Sequence, residues 1–199
     1  TFGGDLGPMA MAPQLETMVD LAHKHNVPAM ANIGGSGLQP GTGYYTDEAW
    51  WGAATNAWNV GVEGIYTFNL FPVEPEPQYS HIGSPDTLKG LSKIYAIDPI
   101  IPRNFWGFDR SALVVPDRLP ITLQSGKSVI AKLPVGEDIA ANAPAGKTAQ
   151  ARLRIRIPAV LGETLSITLN GKKIGMATPA TALSKDPTAV WYELDVQPK

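Results

Sequence analysis

Residues 44–71, YYTDEAWWGAATNAWNVGVEGIYTFNLF, constrain this chain more than any other stretch. Thr46 is a good helix N-cap, and Asp47 and Glu48 fall in the first turn, where the helix dipole favours negative charge. Trp50, Ala54, Ala57 and Trp58 then recur along one side of a helix that runs to about Val60. Gly61 stops it, and the apolar run from Gly64 to Phe71 reads as a buried strand whose end carries the polar Asn69. Loop, helix, glycine turn and strand together make one αβ step of a repeating βα architecture. Such folds place their chemistry at the end where this strand finishes.

The flanking sequence extends the pattern. Gln14–His25 sets Leu15, Met18, Val19 and Ala22 at helical spacing, Asn26 stops it, and Val27–Ile33 (VPAMANI) reads as a short buried strand. Gly34–Gly43 is a glycine-rich loop. After strand two comes a proline-rich loop, and Ser84-Pro85-Asp86 opens a third predicted helix, Thr87–Tyr95. Strand and helix alternating in this order imply parallel strands joined by right-handed crossovers.

From about Ser111 the sequence changes to short strands between turn residues: Ile121–Leu123, Ser128–Leu133, Ala149–Ile157, Thr164–Leu169, Lys172–Met176 and Val190–Val196. The run from Ala151 to Ile157 alternates strictly, which buries one face and turns Arg152, Arg154 and Arg156 to water. Leu169-Asn170-Gly171-Lys172 is a hairpin signal, because Asn-Gly accepts the positive φ angles of a type I′ turn. Trp191 alternates like a core residue. Six or seven such strands predict an antiparallel β-sandwich. The expected organisation is therefore an α/β portion over 1–99, a linker over 100–110 and an all-β domain over 111–199.

Composition narrows the function classes. A chain of 199 residues, 44% hydrophobic and 17% charged, can bury a sizeable core. A net charge of −2 gives no electrostatic case for nucleic acid or an anionic membrane surface. The absence of cysteine excludes disulfides, thiolate catalysis and Cys-based zinc sites. No apolar run reaches the roughly 20 residues of a membrane-spanning helix. The opening TFGGDLGPMAMAP has neither the basic nor the hydrophobic region of a signal peptide. Gly34-Gly35-Ser36-Gly37 lacks the lysine and the spacing of a phosphate loop, and His23 and His25 point to different helix faces. No cofactor and no metal site are expected.

Three stretches, AHKHNVPAMANIG, EAWWGAATNAWNVGVEGIYTFNLF and SPDTLKGLSKIYAIDP, resemble the end of the (β/α) barrel in bacterial glycoside-hydrolase-like proteins. LSITLNGKKI is similar to a hairpin of the β-sandwich that often follows such barrels. The resemblance implies a fold of two parts, the last strands and helices of a (β/α) barrel and then a C-terminal antiparallel β-sandwich. It places Ala29–Ile33 as strand seven and Gly64–Asn69 as strand eight. Two strands cannot close a barrel, which takes about 250 residues. The expectation is therefore a piece of a longer protein, or a chain completed by a separate polypeptide carrying the N-terminal part. The resemblance also implies a carbohydrate partner, with the polymer or oligomer acted on outside the cytoplasm.

Polar residues at the active end then become candidates. Asn69, Asn32 and His81, with Tyr44, Tyr45 and Phe71, are the expected sugar contacts, since aromatic rings stack on sugar faces and amides bond hydroxyls. Glycoside hydrolysis needs two facing carboxylates. Glu74 and Glu76 in VEPEP, and Asp5, are the carboxylate candidates. The end of strand seven, Ala31-Asn32-Ile33-Gly34, departs from the retaining-glycosidase pattern because it has no carboxylate. Two readings follow: a carbohydrate-active fragment whose acid and base lie upstream, or a non-catalytic glycan-binding or structural protein. His23, His25 and Glu63 fall at the opposite, stabilising end.

Overall fold

The structure, a computed structural model, describes residues 12–33, 46–67, 77–96, 121–158, 165–176, 178–180 and 189–198. The chain divides into two compact units, Thr1–Glu137 and Asp138–Lys199.

In the first unit, α1 (Ala12–Lys24) buries Leu15, Val19 and Ala22, whereas Met18 turns outward at 40% exposure. Asn26 adopts a left-handed φ of 54°, and the Val27 amide returns to the Ala22 carbonyl, which closes the helix end. Strand β1 (Met30–Asn32) follows. Thr46 caps α2 (Asp47–Asn59) in extended conformation, its hydroxyl accepting from the Ala49 amide. Gly61, at φ 92°, ends the turn after α2 and leads to β2 (Gly64–Tyr66). Strands β1 and β2 pair in parallel, Met30 beside Gly64 and Asn32 beside Tyr66, so α2 is their crossover.

Two apolar clusters hold this unit together. Leu15, Val19 and Ala22 of α1 meet Ala29, Ala31, Ala57 and Val62, while Trp50 and Ala54 of α2 meet Ile33, Ile82 and Leu88. Trp50 is 2% exposed, and cutting a buried Trp to Ala typically costs about 3–5 kcal/mol.

The third helix differs from expectation. Ser84 does cap a helix, but α4 (Pro85–Leu88) lasts one turn, because Gly90 takes a left-handed φ of 74° and residues 91–96 run on without regular structure. Here tertiary contact overrides local propensity: the Ile94 amide donates to the Glu48 carbonyl at 2.9 Å. The predicted proline-rich loop instead contains α3 (Pro77–Ile82), with Pro77 at its first position, where no amide is needed.

The expected partial barrel is not what forms. Among the described residues the parallel sheet has two strands of three residues each, so each strand has one unpaired edge and there is no curved ladder to close. The antiparallel sandwich is overturned as well. The second unit holds β3 (Ala151–Pro158), β4 (Ser166–Leu169), β5 (Lys172–Met176), β6 (Thr178–Ala180) and β7 (Ala189–Val196). These form a three-stranded sheet in the order β3-β7-β6 and a separate β4-β5 hairpin. Among the described residues their shared cluster has two buried members, Ile167 and Tyr192, too few to cement a sandwich of six or seven strands. Ile121–Leu123 and Ser128–Leu133 form no strand, and Ile130 is 83% exposed, so these aliphatics are not drawn into a sheet core.

Within this second unit the arginine alternation holds. Arg152 bonds Asp195 at 2.8 Å and Arg154 bonds Glu193 at 2.7 Å on the solvent face of β3 and β7. Trp191 is opposite Arg156 on that face, and its neighbour Tyr192 is the core residue instead. Asn170 and Gly171 take φ angles of 49° and 79°, as the hairpin signal required.

Glu63 ties the start of β2 to its surroundings, accepting from the Ala29 amide at 2.6 Å and meeting His23 Nε2 at 2.8 Å. The Ala29 amide, with a smaller contribution from His23, holds this carboxyl below its ordinary value of 4.5. A depressed carboxylate stabilises the fold above its unfolded value, and that stability is lost as pH falls through the lower folded value. Glu63→Gln is therefore expected to lower the melting temperature at pH 7 and to draw level with the wild type as pH drops below 4.5. Parallel melts from pH 7 to pH 3 check this, and a constant offset across the range would refute it.

Candidate functional site

Pleating sorts the residues of the parallel pair. Ala31, Ile33 and Ile65 point to the helices and join the apolar clusters. Met30, Asn32, Gly64 and Tyr66 occupy the other face; a Cβ on Gly64 would come within 2.7 Å of the Met30 methyl. Asn32 is thus the last residue of β1, on the face away from the helices. It is 6% exposed, and its Oδ1 is buried without a hydrogen-bond partner among the described residues. A buried acceptor left unpaired costs about 1–3 kcal/mol, so the position is expensive to keep unless something else satisfies it.

The crossover brings further groups to this end. Because β1 and β2 run parallel, α2 must run back against them, and its first turns lie at the carboxyl ends of the strands. Half-buried Asp47 and Glu48, then Trp50 and Trp51, occupy those turns. Trp50 meets Tyr79 of α3 edge-on, with ring centroids 6.1 Å apart. Trp51 meets His81 of α3 at 5.4 Å and 85°, and the Trp51 indole N–H is buried without an acceptor. His81 is fixed from behind, its carbonyl accepting from the Thr87 hydroxyl at 2.6 Å.

Of the expected contacts, Asn32 and His81 are placed at this end of the unit. Asp5, Tyr44, Tyr45, Asn69, Phe71, Glu74 and Glu76 lie outside the described residues. Trp51 was absent from the expectations. Its signal was the Trp-Trp pair itself: adjacent helical positions are about 100° apart, so only one of the two can face the core squarely. The described residues hold no group of three or more His, Asp or Glu side chains arranged for a metal ion, and none of their helices is long and apolar enough to cross a membrane.

A second polar cluster lies on another side of α2. The Lys93 ammonium sits 2.9 Å from Glu137 Oε1 and 3.0 Å from Oε2, with the two side chains 2% and 9% exposed. The Tyr95 hydroxyl donates to the same carboxylate at 2.6 Å. Burial, reinforced by the Glu137 carboxylate and opposed by a bond with Thr55, pushes the Tyr95 phenol far above its ordinary value of 10.0. No local pattern announces this cluster, because its members are 44 and 42 residues apart.

No family model, curated protein or solved structure matches this chain.

A phenol raised in the folded state contributes stability that is complete below pH 10 and is lost as pH rises toward the folded value. Tyr95 is thus expected to stay protonated until the first unit unfolds. In an absorbance titration near 295 nm, one of the six tyrosines should ionise only together with loss of helix, and Tyr95→Phe should remove that late step. Ionisation of all six in one reversible step near pH 10 would contradict the assignment.

Proposed function

We propose that this chain is a carbohydrate-binding part of a glycan-active protein, recognising a poly- or oligosaccharide at the carboxyl end of the β1–β2 pair. The observation that carries the reading is the buried, unpartnered Oδ1 of Asn32. In parallel α/β sheets ligands settle outside the carboxyl ends of the strands, and a neutral hydroxyl donor suits a neutral carboxamide acceptor. The Trp51–His81 pair at the same end supports it, since an aromatic surface with a polar edge suits a sugar ring. The net charge of −2 gives no reason to favour an anionic ligand instead.

Binding rather than catalysis is what these residues support. Hydrolysis would add two carboxylates facing one glycosidic bond. Asp5, Glu74 and Glu76 stay the candidates for that role.

Asn32→Ala separates a binding role from a packing role. Against a panel of soluble cello-, xylo-, malto- and chito-oligosaccharides, the wild type is expected to bind at least one, by calorimetry. The variant should bind it roughly five- to thirtyfold more weakly, the worth of a hydrogen bond of about 1–2 kcal/mol. Its melting temperature should hold or rise, because the substitution removes an orphan acceptor. Lower stability with unchanged binding, or no binding by the wild type across the panel, would defeat the reading.

A further inference from the structure

The Lys93–Tyr95 cluster has the construction of a receptor and a plug. The receptor side is residues 91–95, and it is fixed without help from Glu137. The Ile94 amide is bonded to the Glu48 carbonyl, and the Ile94 carbonyl fills the space that a side chain at Gly52 would need. Lys93 Nζ also reaches the Leu91 carbonyl at 3.3 Å. This leaves a buried ammonium and the Tyr95 hydroxyl converging on one place, where both oxygens of a carboxylate are met. With Glu137 in place the ammonium is 2% exposed, and a charge buried to that degree needs its carboxylate partner.

The plug arrives from far along the sequence, as the strap Pro134–Glu137 at the end of the first unit. Its grip on α2 is that of a bound peptide. The Asn56 amide donates to the Pro134 carbonyl at 3.3 Å, while Asn56 Oδ1 is buried with no partner, so the carboxamide is only half used. Gly136 passes so close to α2 that a Cβ there would lie 2.7 Å from the Thr55 carbonyl oxygen.

We propose that Lys93 and Tyr95 form a carboxylate-binding site for an extended acidic peptide, occupied in this chain by its own Glu137 as a tethered ligand. The site is distinct from the carboxyl end of the strands and takes an anion, where the sugar reading needs a neutral partner. The strap is then a built-in competitor, and an outside peptide ending its Gly136-like approach in a Glu side chain meets the same ammonium and phenol.

Removing the tethered carboxylate from the full chain tests this. Glu137→Ala is expected to lower the melting temperature, and propionate or the dipeptide Gly-Glu should restore several degrees of it. Gly-Gln and sodium chloride at matched ionic strength should not. In Lys93→Met/Glu137→Ala the carboxylates should have no effect. If Glu137→Ala is unfolded alone, the same comparison is read as recovery of far-UV helical signal on adding propionate. Equal responses to Gly-Glu and Gly-Gln, no response of Glu137→Ala to either carboxylate, or an undiminished response in the double variant would each overturn the proposal.

Discussion

A side chain at position 52 would occupy the space taken by the Ile94 carbonyl, and the first unit is arranged around that close approach. Gly52 is a poor choice for helix propensity alone, costing about 1 kcal/mol relative to Ala. It lets residues 91–96 lie against α2 with the Ile94 amide on Glu48, and it thereby positions Lys93 and Tyr95. On its other sides α2 presents Trp50, Ala54 and Ala57 to the clusters shared with α1, β1 and α3, and Ala49 is buried too. One helix is thus packed on several faces, and small residues at 49, 52, 54 and 57 permit it.

The charges divide sharply by environment. Arg152, Arg154, Glu193 and Asp195 form a ladder on an exposed sheet face, where solvent screening leaves little net stabilisation. Lys93 and Glu137 are buried, and removing either partner of such a pair costs about 3–5 kcal/mol. That one pair therefore outweighs the rest in deciding whether the strap stays on α2. The same logic explains why Tyr95 resists ionisation, since a phenolate would be formed in a desolvated site beside a carboxylate.

What the sequence made legible was local. The Thr46 cap, the face of α2 carrying Trp50, Ala54 and Ala57, the parallel order of β1 and β2, and the Asn170-Gly171 turn all rest on residues close together in the chain, and each was found as expected. The misses required distant contacts. Thr87–Tyr95 has helical spacing, but Gly90 in a left-handed conformation and the bond from Ile94 to Glu48 break it. Ile121–Leu123 and Ser128–Leu133 have strand-like composition but no sheet to join. Barrel and sandwich failed for the same reason, because single strands were legible while the partners needed to close or stack them were not. At the candidate site, Asn32 and His81 could be chosen from position in the βα pattern. Lys93, Tyr95 and Glu137 could not.

Orphan polar atoms link the two sites. Asn32 Oδ1, Trp51 Nε1 and Asn56 Oδ1 are all buried without partners in the first unit. At about 1–3 kcal/mol each, three such groups would consume much of the 5–15 kcal/mol by which a folded domain survives. For Asn32 packing alone gives no reason to keep the acceptor, whereas Asn56 also donates to the Pro134 carbonyl and so holds the strap. Their placement is not random either: Asn32 and Trp51 lie at the carboxyl end of the parallel strands, and Asn56 lies under the strap. The proposed sugar would satisfy the acceptor at the carboxyl end of the strands, whereas Asn56 Oδ1 stays unpaired even with the strap in place.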